Sequence, residues 1–186
     1  MPHADAVLLD DRGRTVLRFE RTLRHPPEKV WRALTELDDL RSWHPSPFEI
    51  EARAGGKVSY LPPYDAGLGE GSVSVYDPPR TLAYTWGEDE LRWELEPHVE
   101  GCLLVVTHTF DDRLKAARDA AGWEICLEGL AASLDGVVLH RDRDGDGLPV
   151  RWHELNRTYE NRFGIDPAQA TKRPPGNGRP TRPCER

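Results

Sequence analysis

The sequence predicts an α+β fold in which a curved antiparallel β-sheet wraps around one long C-terminal α-helix. Over residues 114–135, apolar side chains recur at helical spacing and form a single stripe. Before this segment, apolar and polar residues alternate over short runs, which is typical of strands with one buried face. Turns that contain glycine or proline separate those runs, as in an antiparallel meander. A helix with one apolar stripe needs a partner surface, and the preceding strands supply it.

The first predicted elements are a strand and two short helices. Residues 1–14 are a polar extension that ends in a turn signal. Residues 15–25 alternate between apolar and polar and predict a strand. Pro26-Pro27 ends that strand and begins a helix, because proline is tolerated in a first helical turn. The inner stripe of this helix is Val30, Trp31, Leu34 and Leu37. Asp38 is the predicted N-cap of a second helix over residues 39–43.

Six further strands are predicted between residues 48 and 110. The segment 62–71 is too rich in glycine and proline for a strand interior and predicts a mobile loop. The inward positions of the six strands are Phe48, Ile50 and Ala52; Val58 and Tyr60; Val73 and Val75; Leu82, Tyr84 and Trp86; Leu91, Trp93 and Leu95; and Leu104, Val106, His108 and Phe110.

The long helix begins near residue 114, where Asp111 or Asp112 is a suitable N-cap, and it ends near Gly136. Three charged residues lie off its apolar stripe and are predicted to face water: Arg118, Glu124 and Glu128. The stripe that faces the sheet is Ala120, Trp123, Leu127, Leu130 and Leu134.

The remainder of the chain predicts a linker, one more helix and a tail. Residues 137–149 are polar, and residues 150–165 repeat apolar side chains at helical spacing before Gly164. Residues 166–186 contain too little apolar surface to order themselves and predict a disordered tail. The main domain is therefore expected to span residues 15–136. The apolar positions of the additional helix are Trp152, Leu155, Tyr159 and Phe163.

Several segments resemble one known family. They are residues 27–35 (PEKVWRALT), 40–43 (LRSW), 77–86 (DPPRTLAYTW), 106–108 (VTH) and 122–123 (GW). With the order of elements, they resemble the helix-grip fold of the START/Bet v 1-like (SRPBCC) superfamily, in the branch named after the activator of Hsp90 ATPase. The resemblance covers residues 15–136. The resemblance implies a relationship to a family whose members include hydrophobic-ligand carriers, aromatic-polyketide cyclases and many bacterial proteins without an assigned activity. The Hsp90-binding role belongs to eukaryotic members with an additional N-terminal domain.

Composition excludes several classes of function. The net charge of −7 argues against a general nucleic-acid binder, which would normally present a basic face. No apolar run approaches the roughly 20 residues that cross a bilayer. The N-terminus lacks a basic segment followed by an apolar one, and the three cysteines are far apart. We therefore expect a cytoplasmic protein, either a monomer or a homodimer, that neither inserts into membranes nor binds nucleic acid.

The candidate site is an aromatic-rich interior between the sheet and the long helix. Tryptophan and tyrosine bury large apolar surfaces but keep a polar atom, which suits a pocket for a flat apolar ligand. The alternative is an aromatic core that is packed solid. The predicted ligand-binding residues are Trp43, Tyr60, Tyr84, Trp86, Trp93, Leu104, Val106, His108, Trp123, Leu127 and Leu130.

Two histidines are the catalytic candidates. His108 alternates with apolar residues on the inward face, where it is either a proton-transfer group, a ligand anchor or a core histidine with satisfied hydrogen bonds. His44 follows Trp43 at a helix end and is the weaker candidate. Neither has a second group at a sequence-fixed distance, so no catalytic pair is predicted. Phosphate-binding loops and metal-spaced histidine or cysteine clusters are not found in the sequence, so we expect no cofactor and no metal.

Residues 142–147 (DRDGDG) match the opening of a calcium-binding EF-hand loop. Position 12 of that loop would be His153 instead of the bidentate glutamate, and Glu154 comes one place late. We interpret this segment as a solvated linker. The basic residues of the tail, from Lys172 to Arg186, are likewise interpreted as a solvated terminus.

Three functions remain open from the sequence. The preferred one is a binding protein for a small hydrophobic molecule, aromatic or lipid-like, with Tyr84 and His108 orienting a polar group. The second is a cyclase-like or hydrolase-like enzyme that uses the same cavity. The third is a protein-interaction adaptor, which would require a large exposed apolar patch.

Overall fold

A computed structural model describes residues 6–62, 68–140, 142, 144, 145 and 147–170. It contains an eight-stranded antiparallel sheet with one long helix packed against it, and this confirms the predicted α+β helix-grip fold. The strands are β1 Val7–Asp11, β2 Arg14–Leu23, β3 Phe48–Ile50, β4 Lys57–Tyr60, β5 Glu70–Asp77, β6 Thr81–Trp86, β7 Asp89–His98 and β8 Gly101–Phe110. The helices are α1 Pro27–Thr35, α2 Leu37–Trp43, α3 Ala116–Leu134, α4 Val150–Phe163 and α5 Pro167–Ala170.

The strand order across the sheet is β1-β2-β8-β7-β6-β5-β4-β3. β3 to β8 form the predicted meander, and β8 returns to pair with β2 near the start of the chain. His108 lies opposite Leu17 on β2 and Leu91 on β7, so three strands place these side chains on one face. The alternation predicted on β8 is confirmed, because Leu104, Val106, His108 and Phe110 are all buried.

The first strand, β1, was not predicted, since residues 1–14 were interpreted as an extension. β1 and β2 form a hairpin whose turn residues, Arg12 and Gly13, have φ angles of 53° and 84°. A two-residue turn with positive φ at both positions matches the twist of paired strands. β1 lies at the edge of the sheet and is largely exposed, so its sequence carries no alternation that would have revealed it.

The long helix is entered through a 3-10 turn at Arg113–Lys115, where Asp112 Oδ1 accepts a 3.1 Å hydrogen bond from the Leu114 amide. The predicted stripe of α3 is buried. The prediction for Glu124 was wrong, because this side chain is only 2% exposed. The physical reason is that α4 packs on α3 and, together with Arg21 of β2, covers this side chain.

Other element boundaries also differ from those predicted. α2 begins at Leu37, because the extended residue that separates the two helices is Glu36 and not Asp38. β5 begins at Glu70, inside the segment predicted as a mobile loop; residues 63–67 of that segment lie outside the described residues. α5 falls within the predicted tail, and residues 171–186 also lie outside the described part.

α4 agrees with its predicted apolar repeat, and Gly164 ends it in the left-handed conformation with a φ of 63°. Throughout the described part of the chain, no helix is both long and apolar enough to cross a bilayer.

Candidate functional site

The predicted ligand-binding residues meet in one core between the sheet and α3. Trp86 packs against this core and is only partly buried, whereas the others are buried. Sheet residues come from β4, β6, β7 and β8, and helical residues come from α2 and α3. Their meeting in one place follows from the strand alternation and the helical stripe. That they bind a ligand stays a prediction.

Trp123 lies at the centre of this cluster. Its ring centroid is 5.6 Å from those of Trp86 and Trp93, and 5.8 Å from that of His44. Trp43 packs edge-on against Trp93 at 5.5 Å. These separations are typical of favourable aromatic contacts. The rings therefore fill much of the space between sheet and helix.

Two depressions among the described residues lie elsewhere on the surface. One, of about 400 Å³, is beside β1 and β2, and the other, of about 290 Å³, is at the junction of α1 and α2. Neither depression is lined by residues of the aromatic core.

The indole nitrogens of the core differ in their hydrogen bonding. Trp43 Nε1 donates a 2.9 Å hydrogen bond to the Ala33 carbonyl, and Trp123 Nε1 donates one of 3.1 Å to His108 Nδ1. In contrast, Trp86 Nε1 is buried and has no hydrogen-bond partner among the described residues. Trp93 Nε1 is also buried and meets no acceptor there at full hydrogen-bond geometry, although its indole interacts with the Tyr84 hydroxyl. A buried donor without an acceptor costs about 1–3 kcal/mol. The core thus contains polar hydrogen-bonding capacity that its own side chains do not satisfy.

Tyr84 lies beside this unsatisfied part of the core. Burial raises the pKa of its hydroxyl well above the usual value, the neighbouring Tyr60 adds to the rise, and the Trp93 indole opposes it. Tyr84 therefore stays protonated and neutral near pH 7. Its oxygen lies 3.1 Å from His44 Nε2.

His108 has partners on both ring nitrogens. Because Nδ1 accepts from Trp123, the neutral ring carries its proton on Nε2, and Nε2 donates to Asp89 Oδ2 at 2.8 Å. The His108 side chain is fully buried. Of the alternatives left open by the sequence, this conformation corresponds to a core histidine with satisfied hydrogen bonds.

Asp89 connects His108 to the outer part of the site. Its carboxylate also contacts the ammonium of Lys115, which lies 4.6 Å from the centre of the Phe110 ring. Burial by itself would raise the pKa of Asp89. The hydrogen bond from His108 and the charge and hydrogen bond of Lys115 outweigh burial, so the pKa lies below the usual value. Asp89 is therefore a carboxylate at neutral pH.

One group of residues in the described part could offer metal ligands, namely Asp89, His108 and Asp119, whose ligand atoms lie within 4.8 Å of one another. Lys115 Nζ contacts Asp89 and lies 3.4 Å from Asp119 Oδ2, so its ammonium already supplies positive charge to both carboxylates. A metal on His108 Nε2 would also require a proton on Nδ1, which would then face the Trp123 N–H. The geometry therefore favours an ion-paired cluster.

His44, the weaker catalytic candidate, is also buried and bonded. Its Nδ1 lies 2.9 Å from the Ser46 carbonyl and 3.1 Å from the Ser46 amide, and its Nε2 faces Tyr84. Either neutral tautomer satisfies both nitrogens. The ring centroids of His44 and His108 lie 5.8 Å and 6.0 Å from that of Trp123.

The sequence missed two features near the site. The first is the pairing of Asp89 and Lys115 with His108. On β7, Asp89 alternates in step with Leu91 and Trp93 and therefore lies on the inward face of the sheet. An acidic residue at an inward position was the feature of the sequence that could have indicated this pairing.

The second missed feature is a buried polar network on the α4 side of α3. Glu124 accepts a 2.5 Å hydrogen bond from Tyr159 and pairs with Arg21 of β2. The Tyr159 hydroxyl in turn accepts from the Ala6 amide at 3.0 Å. Sequence periodicity carried no signal for this network, because it depends on how α4 packs.

The EF-hand-like segment has internal backbone bonds. The Gly147 amide donates to the Asp144 carbonyl at 2.9 Å, and Asp144 Oδ2 lies 3.5 Å from His153 Nε2. Arg143 and Asp146 lie outside the described residues, so the interpretation as a solvated linker stays a prediction.

Comparison with known proteins supports the resemblance indicated by the sequence motifs. Residues 24–135 match the family model described as "Activator of Hsp90 ATPase homolog 1-like protein". No curated protein matches the chain.

Solved structures show the same fold. A conserved protein of unknown function from Enterococcus faecalis, EF2215, is 21% identical with a TM-score of 0.69, covering 88% of this chain and 92% of its own. CalU16 from Micromonospora echinospora is 18% identical with a TM-score of 0.63, over 86% and 96%. MLL2253 from Mesorhizobium loti is 25% identical with a TM-score of 0.55, over 67% and 99%.

Proposed function

Because this chain belongs to the Activator of Hsp90 ATPase homolog 1-like family, whose members typically bind ligands, we propose that it binds a flat hydrophobic molecule between the sheet and α3. The carrying observation is the buried Trp86 N–H in an otherwise aromatic core, which has no acceptor within the part of the chain that the structure describes. A ligand that brings apolar surface and one acceptor oxygen would contact the rings and satisfy this donor.

Trp86 is the residue best placed to admit such a ligand. It lies at the end of β6, next to Gly87, and it is more exposed than the other core tryptophans. Its ring contacts both His108 and Trp123 at centroid separations of 5.6 Å. Displacement of Trp86 therefore uncovers the polar and the apolar parts of the core together.

Binding can be tested with two probes that differ in one acceptor: 2-acetylnaphthalene, which has a carbonyl, and 2-ethylnaphthalene, which does not. We expect saturable binding of both by titration calorimetry and by quenching of tryptophan fluorescence. Binding of the carbonyl probe should be tighter by about 3–10-fold, the value of one net hydrogen bond. Absence of saturable binding by either probe would refute the proposal.

Two variants locate the acceptor contact. Trp86→Phe removes the indole N–H and should abolish the preference for the carbonyl probe. Trp152→Phe on α4 makes the same change outside the aromatic core and should retain it. Equal loss of preference in both variants would contradict a role for Trp86.

The second candidate is a cyclase-like or hydrolase-like enzyme in the same cavity, and one observation favours it. His108 is oriented by a carboxylate through Nε2, which leaves Nδ1 on the side of the aromatic core, the arrangement of a general base. A screen of aromatic polyketides and esters against the wild type and His108→Ala separates the two. Turnover lost in the variant supports the enzyme, and binding without turnover in both proteins supports the carrier.

A further inference from the structure

The outer face of the sheet, which points away from α3, carries charged side chains in two neighbouring rows. The basic row contains Arg18 on β2 and Arg92 on β7, which lie at the same level on either side of β8. The acidic row contains Glu20 and Glu94, two residues further along the same strands. Both rows point outward, since the residue that separates them on each strand is buried. All four side chains are between 37% and 51% exposed.

Each arginine already pairs with the glutamate of its own strand. Arg92 Nη2 donates to Glu94 Oε1 at 2.9 Å, and Arg18 pairs with Glu20 on β2. A guanidinium has five N–H donors and a carboxylate has two accepting oxygens, so one such contact leaves most of this capacity unused. Because these side chains are partly exposed, a partner can bind them without breaking the existing pairs.

A protruding side chain and a depression lie at the β1 end of these rows. Val7, the first residue of β1, pairs with Arg18 and so extends the basic row, and it is 42% exposed. Within the described residues, no strand continues beside the acidic row at this edge, and a depression of about 400 Å³ lies there. The depression is lined by Val7, Arg18, Glu20, Arg21, Thr22 and Leu103. The basic row thus ends in an exposed valine, and the acidic row ends in a depression.

We propose that this outer face binds a second copy of the chain, about a two-fold axis that runs across the strands between the two rows. Such an axis exchanges the two rows and places each strand opposite its own counterpart. Arg18 of each copy then meets Glu20 of the other. Arg92 meets Glu94 in the same way. Val7 of each copy faces the depression of the other, so charge and shape are complementary about the same axis.

The geometry of packed sheets allows this arrangement. Facing strands of the two copies run antiparallel, and aligned sheets keep their strand directions within about 30°. Four strands and four rows present roughly 500 Å² per copy, since strands lie about 4.8 Å apart and alternate residues about 6.8 Å apart. This area is at the low end for specific interfaces, so we expect a weak dimer that depends on concentration and on salt.

Self-association is measured first, by sedimentation of the full chain. The weight-average mass should rise from that of a monomer toward that of a dimer as the protein concentration approaches about 1 mM. Salt at about 0.5 M should reduce the rise, because it screens exposed ion pairs. A monomer at every concentration would overturn the proposal, and so would a dimer that is insensitive to salt.

Charge reversal then tests which surfaces meet. Arg92→Glu makes both rows acidic on β7, and Glu94→Arg makes both rows basic. Each variant alone brings like charges together across the axis and should self-associate at least about 10-fold more weakly than the wild type. An equimolar mixture of the two should associate about as tightly as the wild type, because each glutamate then faces an arginine. Recovery in the mixture also shows that both variants are folded.

The matched control is an exposed pair with the same spacing in the β3–β4 connection, at the opposite edge of the sheet: Glu51 with Arg53. Arg53→Glu and Glu51→Arg should leave self-association unchanged. If they weaken it as much as the β7 variants do, net charge and not this face controls association, and the proposal fails. It also fails if the mixture of Arg92→Glu and Glu94→Arg associates no more tightly than either variant alone.

Discussion

Tyr159 on α4 donates a 2.5 Å hydrogen bond to Glu124 on α3, and the glutamate side chain is 2% exposed. The other carboxylate oxygen of Glu124 pairs with Arg21 of β2. This contact joins the additional C-terminal helix to both the long helix and the sheet. Burial, with the hydrogen bond and charge of Glu124, raises the pKa of Tyr159, so the hydroxyl remains a donor at neutral pH.

Glu124→Gln is expected to destabilise the protein by about 3 kcal/mol, because removal of one partner leaves Arg21 without a counter-charge in a poorly hydrated site. Glu128→Gln on the same helix is the matched control. Glu128 pairs with Arg151, but both side chains are 38% exposed, so we expect a loss below about 1 kcal/mol. Urea unfolding of both variants measures the difference. Equal effects would show that burial of Glu124 does not determine its contribution.

Deletion of residues 141–186 is expected to abolish cooperative folding, although the family match ends at residue 135. The deletion exposes the Glu124 network and removes the four buried side chains of α4, which are Trp152, Leu155, Tyr159 and Phe163. Each such side chain contributes about 1.5–3 kcal/mol, and a whole domain is stable by only about 5–15 kcal/mol. Deletion of residues 171–186 alone should leave the unfolding midpoint unchanged. A cooperative transition in the longer deletion would contradict this prediction.

The lowered pKa of Asp89 predicts that the folded protein loses stability in acid. Its pKa in the folded protein lies below the usual value, so the unfolded state binds the proton first as the pH falls. Its contribution is complete above about pH 5 and is lost as the pH falls through the lowered folded pKa. The stability difference between the wild type and Asp89→Asn should therefore shrink between about pH 5 and pH 2. Urea unfolding across this range measures it.

The control for acid stability is Asp38→Asn, since Asp38 is exposed and pairs only with exposed Arg41 among its described contacts. Its difference from the wild type should stay small at every pH. If Asp89→Asn differs from the wild type by a constant amount across the range, the ionisation of Asp89 does not contribute to folding.

Trp123→Ala should destabilise the fold more than Asp142→Ala or Asp144→Ala. Truncation of a buried tryptophan typically costs about 3–5 kcal/mol, because burial is lost and a cavity remains. Exposed carboxylates away from a network usually matter by less than about 0.5 kcal/mol. Thermal unfolding of the wild type and these variants, with calcium and with a chelator, measures which substitution destabilises the fold most. A chelator-dependent drop in the wild type that Asp144→Ala abolishes would reverse it and identify a metal loop.

Local patterns were sufficient for most of the fold. The alternation of Leu104, Val106, His108 and Phe110 identified the inward face of β8, and the stripe through Trp123 identified the inner face of α3. Such patterns repeat along one element, and a single buried face produces them. β1 was not predicted because an exposed edge strand has no buried face to create alternation. Glu124 was misplaced because the second cover of α3 comes from a helix distant in sequence.

By itself, the sequence determined the order of the elements from β2 to α4 and the set of aromatic residues in the interior, since hydrophobic periodicity records which side of an element is buried. Its motifs indicated the family. Only the tertiary structure decided the polar pairings: Trp123 with His108, His108 with Asp89 and Lys115, and Glu124 with Tyr159. Hydrogen bonds and ion pairs depend on distances of about 3 Å between atoms of different elements. Spacing along one chain does not contain those distances, because they arise only when sheet and helices pack together.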